Sequence, residues 1–191
     1  MDQQVIIGFE QLRRALESTR AVLAKVQRDQ LGLPTPCASW DVAALINHFV
    51  GSARWAAQTV SSEDATADED FAGGNFVEAY SRSIGMLVKA FGAEEVLDKQ
   101  FALPIGDYSG ADLLGLAARE QFIHGWDLAR SIGHTSDLEP DLAADLLTRA
   151  RVEISDELRG PDGLAFFGLV IDATDEACSA DRLAAFLGRM I

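Results

Sequence analysis

Apolar residues recur along this chain mostly at three- and four-residue spacings, the pattern of helices that bury one face; the strict alternation of half-buried strands is scarce. The first such stretch covers residues 3–28, with Ile6, Phe9, Leu12, Leu16, Leu23 and Val26 on one stripe. Residues 32–39 hold one glycine and two prolines and read as a connecting loop. Ser39 is suited to cap a second helix, because its hydroxyl can accept a bond from a free backbone N–H. Asp41 then falls in the first turn, at the positive end of the helix dipole, and the helix runs to about residue 60. Residues 61–70 are polar and acidic and read as a solvated linker. A third helix is predicted over residues 75–91, and residues 93–110 read as irregular with a short extended piece at 101–104. Ser109 or Gly110 opens a fourth helix that runs to about residue 132, with Gly133 placed as its stop. A fifth covers residues 139–158 and is broken by Gly-Pro-Asp-Gly at 160–163; a short helix is predicted at 181–187 in the tail.

Four long amphipathic helices in so short a chain pack most simply as an antiparallel bundle. The expected fold is therefore all-α: a helical bundle over residues 1–160, fifth helix included, and a short C-terminal extension, 161–191, packed on the same domain.

Composition narrows the function. The chain has 191 residues, enough for one domain, and 48% of them are hydrophobic, enough for a real core. Sixteen basic residues against 30 acidic ones leave a formal charge of −14, which repels phosphate backbones and anionic lipid surfaces alike. Nucleic acid and membrane are thus excluded as partners, and a small-molecule substrate is expected. No apolar run approaches the length of a transmembrane helix, and the first residues lack the basic start and apolar core of a signal peptide. Two cysteines, Cys37 and Cys178, make neither a disulfide framework nor a metal knuckle, so a reducing, cytoplasmic setting is expected. Apolar helix faces also make a homodimer plausible.

Three histidines carry the candidate chemistry. On the fourth helix, Leu113, Ala117, Glu120, His124 and Leu128 fall on one stripe, with Glu120 and His124 four residues apart. A carboxylate and an imidazole on an otherwise apolar face need a partner, because burying an unpaired charge is costly. A metal ion would satisfy both, with His48 from a facing helix as third ligand. Two histidines and a carboxylate are the ligand set of catalytic zinc sites and equally suit non-haem iron. A hydrogen-bonded surface pair is the simpler alternative.

Two motifs then carry a resemblance. Thr35-Pro-Cys37, Trp40, Val42, Leu45 and His48 share their spacing, and Glu120, His124, Trp126, Asp127, Leu128 and Ala129 share theirs, with the mycothiol-dependent maleylpyruvate isomerase N-terminal family of the DinB/YfiT-like superfamily. The run at residues 181–189 resembles a compact actinobacterial branch described as metal-binding. The resemblance implies a DinB/YfiT-like four-helix bundle and a metal triad of His48, Glu120 and His124. It also implies zinc ahead of nickel or iron, with a low-molecular-weight thiol such as mycothiol as cosubstrate. The isomerase carries a further domain after the bundle, whereas only a short tail follows the bundle here, so the maleylpyruvate reaction itself is not implied.

The expected function is a metal-dependent thiol transferase or isomerase acting on a small electrophile. The alternatives are a non-enzymatic metal- or ligand-binding protein and a metal-dependent hydrolase using a bound water. Around the triad, Asp127 either holds a ligand histidine in its tautomer or bonds a backbone group. Trp40 and Trp126 line a pocket or, more simply, fill the core. Cys37, near a helix N-terminus, is a reactive thiol or a buried one, and its distance along the helix from His48 argues against its being a ligand. Arg54 and Arg119 are anion contacts or plain surface residues. His134 reads as an exposed loop residue, and the acidic run at 63–70 lacks the glycine and spacing of a calcium loop.

Overall fold

The computed structural model describes residues 7–63, 69–93, 95–103, 106–161 and 164–191. Six helices follow in order: α1 (Phe9–Leu23), α2 (Val42–Ser61), α3 (Phe76–Phe91), α4 (Gly110–Ser131), α5 (Pro140–Glu153) and α6 (Ser179–Phe186). α1 lies against α3 and α4, and α2 lies against the same two, which closes a four-helix ring. α5 packs on α6, and both reach back to the ring through α1 and α4. This is the DinB-like helical fold, and its apolar faces meet in two clusters. One joins Leu12, Leu16, Phe122, Trp126, Leu146 and Leu183; the other joins Leu23, Leu45, Phe49, Tyr80 and Leu128.

α4 is the central helix. It is buried on nearly every side between Leu113 and Ala129, polar residues included. Ser109 caps its start by accepting from Asp112 N at its hydroxyl, and Asp112 Oδ2 accepts in turn from Ser109 N. At its end Gly133 adopts φ +70°, and bonds from His134 N to Ala129 O and from Gly133 N to Arg130 O close a Schellman motif. α1 approaches α4 closely at Gly125. Thr19 Oγ1 donates to Gln121 O at 2.7 Å, and a Cβ at position 125 would lie 2.3 Å from that hydroxyl oxygen. Gly125→Ala is expected to cost about 1–3 kcal/mol, because α1 must shift to admit the methyl. A urea midpoint unchanged from wild type would show that the two helices tolerate more separation than this contact implies.

The tail has a comparable contact. Gly168 and Gly188 touch backbone to backbone, and a Cβ at Gly188, whose φ is +90°, would lie 2.5 Å from Gly168 Cα. Arg159 fastens the same region, donating from Nη1 to Gly168 O and Phe186 O.

Several boundaries differ from the sequence reading. α1 ends at Leu23, where Lys25 N and Val26 N bond three residues back, and a 3-10 turn at Arg28–Gln30 follows; positions 3–6 lie outside the described residues. Asp41, not Ser39, caps α2, its Oδ1 accepting from Ala44 N at 2.8 Å. α5 stops at Glu153, because Ile154 turns extended and buries its side chain, and a 3-10 turn occupies Asp156–Leu158. α6 begins at Ser179, with the Cys178 sulfur accepting from Asp181 N. The stretch read as irregular holds an antiparallel hairpin, β1 (Gln100–Leu103) and β2 (Gly106–Ser109), with Phe101 opposite Tyr108. Of the expected acidic linker, residues 64–68 lie outside the described residues, as do 162–163 of the break after α5 and Pro104 of the extended piece.

Candidate metal centre

The second motif places Glu120 and His124 one turn apart on α4, and the first places His48 on α2 opposite them. His48 Nε2 stands 2.6 Å from Glu120 Oε1, and His124 Nε2 stands 3.2 Å from the same oxygen. Candidate ligand atoms of the three residues all lie within 4.8 Å of one another. The spacing between the helices is set next door. Gln121 Nε2 donates to Phe49 O at 3.0 Å and to Ser52 Oγ at 2.9 Å, while Tyr80 Oη donates to Gln121 Oε1 at 2.9 Å. The residue after Glu120 thus ties α4 to the backbone just after His48.

Asp127, fully buried, lies 2.9 Å from His124 Nδ1 through Oδ2. Its carboxylate also accepts from Arg189 of the tail, at 3.3 Å from Nε and 3.2 Å from Nη2, and from Cys37 Sγ at 3.4 Å. Of the two roles open to Asp127 in the sequence, the ring contact is the one the side chain makes. Cys37 is half-buried and free, beside Asp127. The loop before α2 folds back over the site, so Cys37, His124 and Asp127 form a second close group beside the triad. Cys37 is grouped with His124 and Asp127 and not with His48 and Glu120.

The other candidates separate clearly. Trp40 is half-buried, packed against the second apolar cluster on one side and with its ring 4.4 Å from that of His48 on the other, so it borders both core and site. Trp126 is wholly buried and donates from Nε1 to Asp181 Oδ1 at 2.8 Å, a tie between α4 and α6 outside the site. Arg54 pairs with Glu69 at 2.8 Å and stacks over Phe71, away from the triad. Arg119 is buried, not a surface residue, and is paired with Glu153. His134 meets Lys25 at the protein surface.

A cavity of about 610 Å³ opens in front of the triad, within the range of small-ligand sites. The loop before α2 and Trp40 form one side, Leu116 and Ile123 of α4 another, and Phe167 and Met190 of the tail a third. The tail's share, Arg189 above all, is what sequence reasoning missed. The run at residues 181–189 carried the signal, but nothing in its spacing says that it folds back on Asp127.

Charge on the cluster is mutually supporting. Burial works against ionisation of Glu120, yet the His124 and His48 rings beside it hold its pKa well below the ordinary 4.5. Burial likewise opposes charge on His124, but Glu120 and Asp127 hold it well above 6.5. Asp127 is held below 3.8 by Arg189 and His124 despite its burial. In the metal-free protein the sign follows directly. The His124 contribution is complete below pH 6.5 and fades as pH rises through the raised folded value. The carboxylate contributions are complete above 4.5 and fade as pH falls through their lowered values. Urea midpoints in chelator should therefore fall on both sides of a plateau between these limits, and His124→Gln should remove the alkaline limb. An alkaline limb that survives this substitution would place the titration elsewhere.

The helical bundle, with a histidine–carboxylate cluster between two of its helices beneath a cavity of small-molecule size, agrees in fold with the DinB-like class that the two motifs resemble. The chain belongs to the mycothiol maleylpyruvate isomerase N-terminal domain family, whose sequence profile matches residues 12–129. Two relatives from Mycobacterium tuberculosis, strains CDC 1551 / Oshkosh and ATCC 25618 / H37Rv, are each described as an uncharacterized protein. Each is 36% identical over 188 residues, covering 94% of this chain and 96% of its own. Among solved structures, the crystal structure of the mycothiol-dependent maleylpyruvate isomerase superposes with a TM-score of 0.60. It is 17% identical, and the match covers 78% of this chain and 69% of that one, a likeness of fold. No helix among the described residues is long and apolar enough to cross a membrane.

Proposed function

We propose that His48, Glu120 and His124 hold a divalent metal ion, zinc foremost. On this reading the protein is a metal-dependent transferase or isomerase that uses mycothiol or a similar small thiol against a small electrophile. The metal reading is supported by three donors that converge on one point, where a cation is called for. Asp127 takes the proton side of the His124 ring at Nδ1, so a neutral His124 turns the lone pair of Nε2 toward Glu120 Oε1. Two lone pairs at 3.2 Å repel unless a cation lies between them, either a second proton on the ring or a metal. His48 Nε2 aims at the same oxygen. Two imidazole nitrogens and a carboxylate, with one imidazole held from behind by a carboxylate, are the donor set of catalytic zinc; nickel and iron accept the same donors.

When bound, the ion would supply Lewis acidity and favour the thiolate form of a thiol. The chain's own residues do the rest. Asp127 fixes the ring and tautomer of His124, Trp40 covers His48, and the walls of the cavity border the place of the nucleophile. Family membership supports the thiol, since the structure of similar fold is that of a mycothiol-dependent enzyme.

Cobalt substitution tests this reading. A labile coordination position is expected to show as a change in the visible cobalt bands on adding mycothiol or N-acetylcysteine. Cobalt that binds but ignores both thiols would overturn the thiol role and favour a binding protein or a hydrolase. Failure to bind cobalt, zinc or nickel would remove the metal centre itself.

A further inference from the structure

A second, smaller hollow adjoins the triad. It is a cleft of about 120 Å³ between α2 and α4, and Glu120 and Leu116 line both it and the larger cavity. Ala53, Ala56 and Ala117 form its floor, and Trp55, 40% exposed, stands at its rim. Its polar groups other than Glu120 and the indole N–H of Trp55 at the rim are already satisfied. The Gln121 amide spends its Nε2 on Phe49 O and Ser52 Oγ and its Oε1 on Tyr80, while Ser52 Oγ also donates to Phe49 O. A polar group passing the rim to the alanine floor would lose water and meet only a carboxylate, which is costly for a neutral acceptor and worse for an anion. The cations in the wall of the larger cavity are committed too, Arg119 to Glu153 and Arg189 to Asp127.

We propose that this cleft is the subsite for an uncharged, apolar group of the second substrate. The group is one aromatic ring or a short branched alkyl chain, and the thiol occupies the larger cavity. The inference rests on the thiol-transfer reading and adds the chemical class of the electrophile. The volume sets the size: about 120 Å³ is somewhat below the roughly 150 Å³ of a closed cavity that takes benzene, so one ring fills the cleft with its outer edge at the open rim beside Trp55. The position sets the role: the occupant's neighbouring atoms lie against Glu120, where the two hollows meet.

The test uses the full chain loaded with zinc, with toluene as probe and backbone amide NMR shifts as readout. Toluene should produce saturable shifts at Ala53, Ala56 and Ala117. Ala56→Leu, which fills the floor, should weaken this response at least tenfold; Ala56→Val, a smaller change, serves if the leucine variant does not fold. The two-ring 1-methylnaphthalene should leave those amides unmoved. Shifts confined to the larger cavity, around Trp40 and Phe167, would overturn the proposal, as would an apparent affinity unchanged by filling the floor. Zinc content of the wild-type sample separates the two failures. One equivalent bound without a cleft response sinks only this inference, whereas no zinc sinks the metal reading beneath it.

Discussion

His124→Ala is expected to strip the protein of metal, from about one equivalent per chain to almost none after dialysis, because a three-ligand site rarely survives the loss of one. The effect should exceed the 10–100-fold loss of affinity typical of residues that only support a ligand. Of the three candidate ligands His124 is the most tightly placed, with Asp127 behind its ring and Glu120 in front. Removing it leaves Glu120, among the described residues, paired with His48 alone, so the two remaining donors also lose their fixed spacing. Elemental analysis of tag-free protein, wild type beside variant, is the check. Equal metal in both samples would place the bound ion elsewhere and turn the cluster into an ordinary buried hydrogen-bonded pair. Because the ring must shed a proton to bind metal, wild-type affinity should also rise with pH.

The largest effect on stability is expected at Asp127. Its carboxylate is completely buried and answers Arg189, whose side chain is only 14% exposed. Burial opposes charge on that guanidinium, yet Asp127 holds its pKa above the ordinary value. Removing one member of a buried pair leaves the other uncompensated, which typically costs about 3–5 kcal/mol. Asp127→Ala should fall in that range by urea unfolding, and the cost should shrink when Arg189→Met is added, since no charge is then stranded. Asp127→Asn keeps the shape and should cost less. It should still weaken zinc about 10–100-fold, because an amide can present its NH₂ to His124 Nδ1 and reverse the tautomer. A double variant no better than Asp127→Ala alone would show that the aspartate acts through something other than the tail.

What the sequence made legible was whatever depends on local periodicity. The apolar stripe of α4 put Glu120 and His124 on one face, and Gly133 marked where that helix ends. The first motif carried His48 to the same place through the family resemblance; spacing alone could not bring α2 against α4. The return of the loop before α2 was out of reach, because Cys37 meets Asp127 across 90 positions of chain. The same holds for Arg189, 62 positions from its carboxylate. The hairpin was hidden by its size, since four-residue strands alternate too briefly to register as a period. Ser39 lost the cap of α2 to Asp41 because both are good caps two residues apart, and only the path of the chain decides between them.

The touching glycines of the tail bear on how this site would tolerate change. At Gly168 and Gly188 the cavity wall is main chain resting on main chain, with no side chain between to yield. In a saturation library these two positions should behave like buried core residues although both are partly open to water, with alanine already poorly accepted at either. The aromatic and aliphatic positions around them, Phe166 and Met190, should accept many replacements. The contour of that wall would then stay fixed while its chemistry varies, which makes the tail a place to retune substrate preference without rebuilding the protein.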